Sequence, residues 1–203
     1  MRTERNKDGS WNVWMSRREY HELPRQAHSE LGEIALRLMG DCGLRVAEVL
    51  DVTPNDINRR TDGRHYKLEV TSGKDTTGEH HGGKQRETWL PVDLEARINR
   101  YVQNDDNDVG PNDPIVQRSK RTLQNWVSNA AAAAADATGD NDYRRVSSHD
   151  LRRCWAHHLL VEEGISPRIV MALGGWNSYD AIEPYLAAPS EENIIKSMSA
   201  VDL

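Results

Sequence analysis

The chain reads as a mainly α protein with one small antiparallel β-sheet, an α+β fold, and three features predict this. Apolar residues recur at helical three-and-four spacing over several long stretches. Only two short stretches alternate apolar and polar residues as strands do. A segment rich in Gly, Thr and His joins those two and suits a long hairpin loop.

The elements follow in order. The first 25 residues are polar apart from an island of Trp11, Val13, Trp14 and Met15. Ser16-Arg17-Arg18-Glu19 has the form of a capping box, in which Ser and Glu satisfy each other's main-chain N–H groups, so a short helix opens there. Pro24 ends or bends it, because proline lacks the N–H a helix interior needs. From Ala27 a second helix is predicted by Leu31, Ile34, Ala35, Leu38 and Met39, and the stretch from Gly40 to Gly43 interrupts it. A short helix runs from Arg45 to Leu50. Tyr66, Leu68 and Val70 alternate within 65–71 and predict a strand; 87–92 is a second, and 72–86 the loop between them. Residues 93–103 read as helix, 104–114 as an acidic Asn/Asp/Gly/Pro loop, and 121–137 as a helix containing the alanine tract 130–135. After a linker at 138–143, helices are predicted over 149–163, 166–173 and 191–200, with 176–185 between the last two.

Composition narrows the function. At 203 residues with 37% hydrophobic residues the chain fits one domain with a core, or one domain with a short extension. No apolar run approaches the roughly 18–20 residues of a membrane span, and no apolar stretch follows the charged start, so no membrane segment or secretory signal is expected. Cys42 and Cys154 stand far apart with no Cys-x-x-Cys, which excludes a disulfide scaffold or zinc finger and suits a reducing cytoplasm. Twenty-six Lys and Arg against 32 Asp and Glu give a net charge of −6, which argues against a uniformly basic nucleic-acid coat. The charge is uneven, however. Arg144, Arg145, Arg152 and Arg153 cluster with Asp150 as the one acid between 144 and 153, and Arg118, Lys120 and Arg121 form a second group. An acidic protein with such clusters can hold a local anion site.

Five places carry residues that make chemical sense together. Gly43-Leu44-Arg45-Val46-Ala47-Glu48 sets Arg45 at a helix start with Glu48 three positions on, within its reach. Ser147-Ser148-His149-Asp150-Leu151-Arg152 is a helix cap followed by His149 and Arg152 on one face, with Leu151, Trp155 and Leu159 on the other. Lys74 stands just past the first strand, and Trp176 precedes Tyr185 by nine positions. Taken singly, each has a plain structural reading: a surface ion pair, a packing lid, a half-buried tyrosine, a solvated lysine.

As an ordered set, Gly-Leu-Arg, a strand-edge lysine, His-x-x-Arg, Leu-Gly-Gly-Trp and the following tyrosine resemble the tyrosine recombinase (phage integrase) family, from about Leu31 to the C-terminus. The resemblance implies a catalytic domain over 26–203 behind an N-terminal extension at 1–25. It implies a site-specific DNA recombinase or integrase that works through a 3′-phosphotyrosyl intermediate, with no metal and no cofactor. Arg45 and Arg152 would hold the scissile phosphate with their guanidinium forks. His149 would donate to the phosphate and exchange a proton, and Tyr185 would attack phosphorus. Trp176 stands where family members carry His or Trp, and can donate one hydrogen bond but not a proton. Lys74 would protonate the departing 5′ oxygen. Lys84, after Gly83, is the other candidate for that role, though with Arg86 it is expected on backbone phosphate; Arg118, Lys120, Arg121, Arg144 and Arg145 complete the expected DNA contacts.

The same resemblance implies double-stranded DNA as partner and a homo-oligomer, a tetramer on DNA. The C-terminal helix, with Ile194, Ile195, Met198 and Val201 on one side, either folds back on its own core or docks on a neighbouring protomer. Only 44 residues precede Arg45, too few for the upstream clamp domain usual in the family plus the first catalytic-domain helix, so the chain is expected either to be a minimal recombinase or to need a partner such as an accessory DNA-binding protein. Pro184 requires Tyr185 to start a helix or sit in a turn. Two other readings stay open: a DNA-binding accessory or regulatory protein that does not cleave alone, and a type IB topoisomerase.

Overall fold

The computed structural model describes residues 1–73, 84–185 and the positions 195, 198 and 199. Five strands, β1 (Arg2–Arg5), β2 (Trp11–Trp14), β3 (Ile57–Arg59), β4 (Tyr66–Gly73) and β5 (Lys84–Leu90), form two antiparallel sheets, β1-β2 and β3-β4-β5. Seven α-helices complete the described fold: α1 (Arg17–Arg25), α2 (Glu30–Gly40), α3 (Val46–Val49), α4 (Val92–Val102), α5 (Lys120–Thr138), α6 (Ser148–His157) and α7 (Pro167–Gly174).

The mainly helical reading holds, with two additions. The apolar island near the start is strand β2, paired to β1 with Arg2 opposite Trp14 and Arg5 opposite Trp11. Its alternation spans too few residues to stand out in a polar segment. Strand β3 is likewise short, and pairs Ile57 with Leu68 of β4. The helix expected over 149–163 is two pieces: α6 passes into a π-helical turn, His158–Glu162. The helix expected over 191–200 lies largely outside the described residues; Ile195, Met198 and Ser199 are helical.

Helix α2 is the hub. Ile34, Ala35, Leu38 and Met39 are fully buried, and the helix packs against α1, α4, α5 and α6. Fully burying side chains such as Ile34, Leu38 and Met39 stabilises by about 1.5–3 kcal/mol each. Residues from the first 25 join the same core, with Val13, Met15, Tyr20 and Leu23 at 1% exposure or less. Ser16 and Glu19 form the capping box of α1, Glu19 Oε2 accepting from the Ser16 N–H at 2.8 Å. A smaller apolar cluster of Trp155, Ala156, Leu160, Val170, Ile182 and Tyr185 sits beside the main core. Helix α6 touches both clusters, and so links the body of the protein to the segment carrying Tyr185.

Candidate active site

Three elements, α3, α5 and α6, converge on one cavity of about 370 Å³, lined by Arg45, Glu48, Lys120, His149 and Arg152 among others. Arg45 is the N-cap residue of α3, with extended backbone, so its side chain leaves the helix start and enters the cavity while half-exposed. Gly43 places it there. Its φ of +69° suits glycine, and a Cβ at that position would lie 2.5 Å from the Trp155 ring.

Arg152 is 2% exposed. Its Nη1 donates to the Gly43 carbonyl and its Nη2 to the Gly174 carbonyl at 2.5 Å. No described carboxylate pairs with it at ion-pair distance, so its charge is buried against two main-chain carbonyls and the face of Trp176. Burial lowers its pKa and the guanidinium groups of Arg45 and Arg86 lower it further, while Glu48 and Tyr185 act the other way. Such a group is stabilised by an anion entering the cavity.

His149 stands at the open edge, near the N-terminus of α6. Partial desolvation of the ring holds its pKa beneath the ordinary 6.5; Arg153, Arg152 and Arg45 add to this, and Asp150 opposes it. The imidazole is therefore neutral at pH 7, with one ring nitrogen free to accept a proton. Its Nε2 lies 3.5 Å from the Tyr185 hydroxyl.

Tyr185 ends a 3-10 turn, Glu183–Tyr185, as the preceding proline requires. It is 8% exposed and packs against Trp176 with ring centroids 5.3 Å apart. Trp176 lies between this tyrosine and Arg152, whose Cζ sits 4.3 Å from the indole centroid, and it also stacks on Trp155 at 6.0 Å. Helix α7 ends in Gly175 at φ +72°, and the Trp176 N–H returns to the Met171 carbonyl at 3.0 Å. This left-handed cap turns the chain so that Trp176 covers Arg152.

The structure thus brings Arg45, His149, Arg152, Trp176 and Tyr185 together, and adds Lys120 to the rim. Lys74 lies outside the described residues. Of Lys84 only the backbone is described, paired opposite Gly73. Arg86, expected on phosphate, is instead buried and bound to Glu48 and to the Leu173 carbonyl. The alternation of β5 explains this, since Arg86, Thr88 and Leu90 all face inward.

The remaining expected DNA contacts do not line this cavity. Arg144 pairs with Asp136 at 2.5 Å, and Arg145 pairs with Asp142 and covers the Trp11 ring at 4.0 Å. Arg118 lines a separate groove with Tyr101 and Trp126, and Arg121 is exposed.

Glu48 is the residue whose weight the sequence understates. Its carboxylate accepts from the Arg45 N–H at 2.7 Å, Arg45 Nη1 at 2.8 Å, and both terminal nitrogens of Arg86 at 2.8 Å. Burial would raise its pKa, but Arg86 and then Arg45 bring it down to about 2. Against three arginines this single carboxylate leaves the cavity cationic.

Comparison with known proteins agrees with the fold. A family model described as the phage integrase family matches residues 15–192. No curated protein sequence matches this chain. Among solved structures, the XerA recombinase superposes at a TM-score of 0.70 with 19% identity, covering 93% of this chain and 64% of that one. The Tn1549 transposon integrase in complex with transposon right end DNA gives 0.70 and 11%, covering 93% and 66%. A lambda integrase dimer bound to a COC′ core site gives 0.56 and 18%, covering 86% and 59%. This chain therefore spans about three-fifths to two-thirds of each, and at these identities the likeness is one of fold.

Proposed function

This chain belongs to the phage integrase family, and we propose that it cleaves and rejoins double-stranded DNA at a specific site through a covalent bond from Tyr185 to a DNA phosphate. One observation carries the reading. The Tyr185 hydroxyl lies 3.5 Å from a histidine nitrogen, beside a buried arginine that no described carboxylate neutralises. A phenol beside a neutral base, with a buried cation across the Trp176 ring, suits attack on a phosphodiester.

In the forward step the Tyr185 oxygen bonds to phosphorus and the bond to the 5′ oxygen breaks, leaving the 3′ phosphate on the tyrosine. The phenolic proton passes to His149 Nε2, whose lowered pKa keeps it available as acceptor. Arg45 and Arg152 hold the nonbridging oxygens, where charge accumulates; losing one such contact commonly costs about 10²–10³ in rate. Trp176 adds an indole N–H and screens the bond from water. The departing 5′ oxygen takes its proton from a lysine of the 74–84 segment, Lys74 in preference to Lys84. A 5′ hydroxyl attacking the phosphotyrosine reverses every step, so resealing needs no further energy source.

Lys84, Lys120 and Arg121 supply DNA backbone contacts around the cavity, and assembly as a tetramer on DNA through the segment 191–200 belongs to the same proposal. With a net charge of −6, binding should weaken steeply as salt rises.

The test is covalent capture. The protein is incubated with a pool of nicked duplexes bearing a randomised segment, and adducts that survive denaturant are sequenced. Adducts enriched in one sequence, and absent with Tyr185→Phe, are expected. Adducts without enrichment would assign a topoisomerase. Binding without adducts would assign an accessory DNA-binding protein.

A further inference from the structure

Arg86 is a buried guanidinium that the proposed chemistry does not use. It comes from the inward face of β5, and its three bonds reach two separate parts of the site. Its terminal nitrogens form a fork on Glu48, both at 2.8 Å, and its Nε donates to the Leu173 carbonyl at 2.9 Å. The next carbonyl along, Gly174, accepts from Arg152. Two arginines from different elements thus cap consecutive carbonyls at the C-terminal end of α7, where the helix dipole favours positive charge. The Arg86 stem also fills the space beside Gly175: a Cβ there would lie 2.8 Å from Arg86 Cδ.

The Glu48 carboxylate is saturated, each oxygen holding one donor from Arg45 and one from Arg86. Its single negative charge is therefore divided between two guanidinium groups. Without Arg86 the whole carboxylate would fall to Arg45 and neutralise it one to one. With Arg86 present, three arginines face one carboxylate, and Arg45 keeps charge directed toward the cavity.

We infer that Arg86 is a positioning residue: by sharing Glu48 and holding the Leu173 carbonyl, it keeps Arg45 available to an anion and fixes the turn that carries Trp176. Lysine cannot replace it, having no planar fork with which to hold a carboxylate and a carbonyl together. The DNA arm of its test rests on the proposed function, whereas a second arm does not.

Both arms compare wild type with Arg86→Met, which keeps an apolar stem, and with Arg86→Met combined with Glu48→Gln. In the free protein, side-chain NMR of Arg45 should show its guanidinium signals displaced in the single variant and returned most of the way in the double variant. On a short duplex of random sequence, the single variant should bind about tenfold more weakly with its salt slope reduced by about 1, and the double variant should recover both. A purely packing role would leave the double variant no better than the single one. Arg45 signals unmoved by Arg86→Met, or no recovery in the double variant, overturn the inference. If the Arg45 signals move and return as expected while the wild type neither binds duplex nor forms adducts, the proposed function fails and the positioning of Arg45 by Arg86 stands.

Discussion

The main-chain N–H of Val13 donates to Asp150 Oδ1 at 3.0 Å across a separation of 137 positions. Asp150 is fully buried and sits between His149 and Arg152 on α6. Its other oxygen accepts from the N–H of Ser147 at 2.9 Å and from its hydroxyl at 2.6 Å, and Arg153 completes the set. Strand β2 is thereby pinned to the helix that supplies two residues of the site. Asp150→Ala removes all four partners and leaves the Arg153 guanidinium without its carboxylate. Unfolding in urea should show a loss of about 3–5 kcal/mol. Asp150→Asn should lose less, and because Asp150 raises the pKa of His149, that pKa should fall further in the variant. NMR titration of His149 checks the second effect; an unchanged or raised value would contradict the placement of Asp150.

Glu48 makes acid stability readable. Its pKa is about 2 in the folded protein against an ordinary 4.5, so the folded state binds fewer protons between those values. The stability it contributes is complete above pH 4.5 and is lost as pH falls through 2. A shift of that size corresponds to about 3 kcal/mol at neutral pH. Glu48→Gln should therefore be less stable than wild type at pH 7, with the difference shrinking between pH 4.5 and 2. Calorimetry across that range checks it, and a constant difference would exclude the charge as its source.

The cleavage rate should have an acid limb. The pKa of His149 lies below 6.5, so the neutral acceptor persists to lower pH than an unperturbed imidazole would allow. Adduct formation under single-turnover conditions should be level near pH 7 and fall only once pH drops below 6.5. His149→Gln should remove the limb along with most of the rate. A limb centred above 6.5 would assign the acceptor role elsewhere.

Much of this was legible from the residues. Period-3.6 apolar spacing points to α2, and the capping box at Ser16 and Glu19 to α1, because these signals are local. Arg45, His149, Arg152, Trp176 and Tyr185 were singled out from their motifs and order, and they do come together. Arg86 falls in the loop expected over 72–86, whereas β5 begins at Lys84 and turns Arg86 inward; a strand flanked by a long loop declares neither its start nor its register. The partnership of Arg86 with Glu48 is equally hidden, being a contact 38 positions apart between a sheet and a short helix. The hairpin β1-β2 escaped notice because its strands have four residues each and one side of the pair is almost wholly polar.

Gly43 tests how tightly the floor of the site is built. Alanine there faces a left-handed backbone, costing about 1–3 kcal/mol. Its Cβ would also lie 2.5 Å from the Trp155 ring, and overpacking of that kind adds a comparable amount. Since the Gly43 carbonyl holds Arg152, the shift should reach the cavity. Gly43→Ala should lower adduct formation even at temperatures where circular dichroism reports a fully folded protein. Full activity in the folded variant would mean that Arg152 does not need this carbonyl.

Trp176 separates two ways of helping the same reaction. Its ring lies between Arg152 and Tyr185, with centroid distances of 4.3 Å to the guanidinium carbon and 5.3 Å to the phenol. If the aromatic face matters most, Trp176→Phe should keep the rate within a few-fold, since a cation–π contact is worth about 0.5–2 kcal/mol and phenylalanine retains part of it. If the indole N–H contacts phosphate, Trp176→His should outperform Trp176→Phe, because histidine restores a donor while sacrificing ring area. Trp176→Ala removes both, and should lower the rate more than either while leaving Tyr185 more open to solvent. Single-turnover adduct rates for the three variants rank the contributions. The stacking of Trp176 on Trp155 and its cover over a buried arginine favour the first outcome, with phenylalanine ahead of histidine.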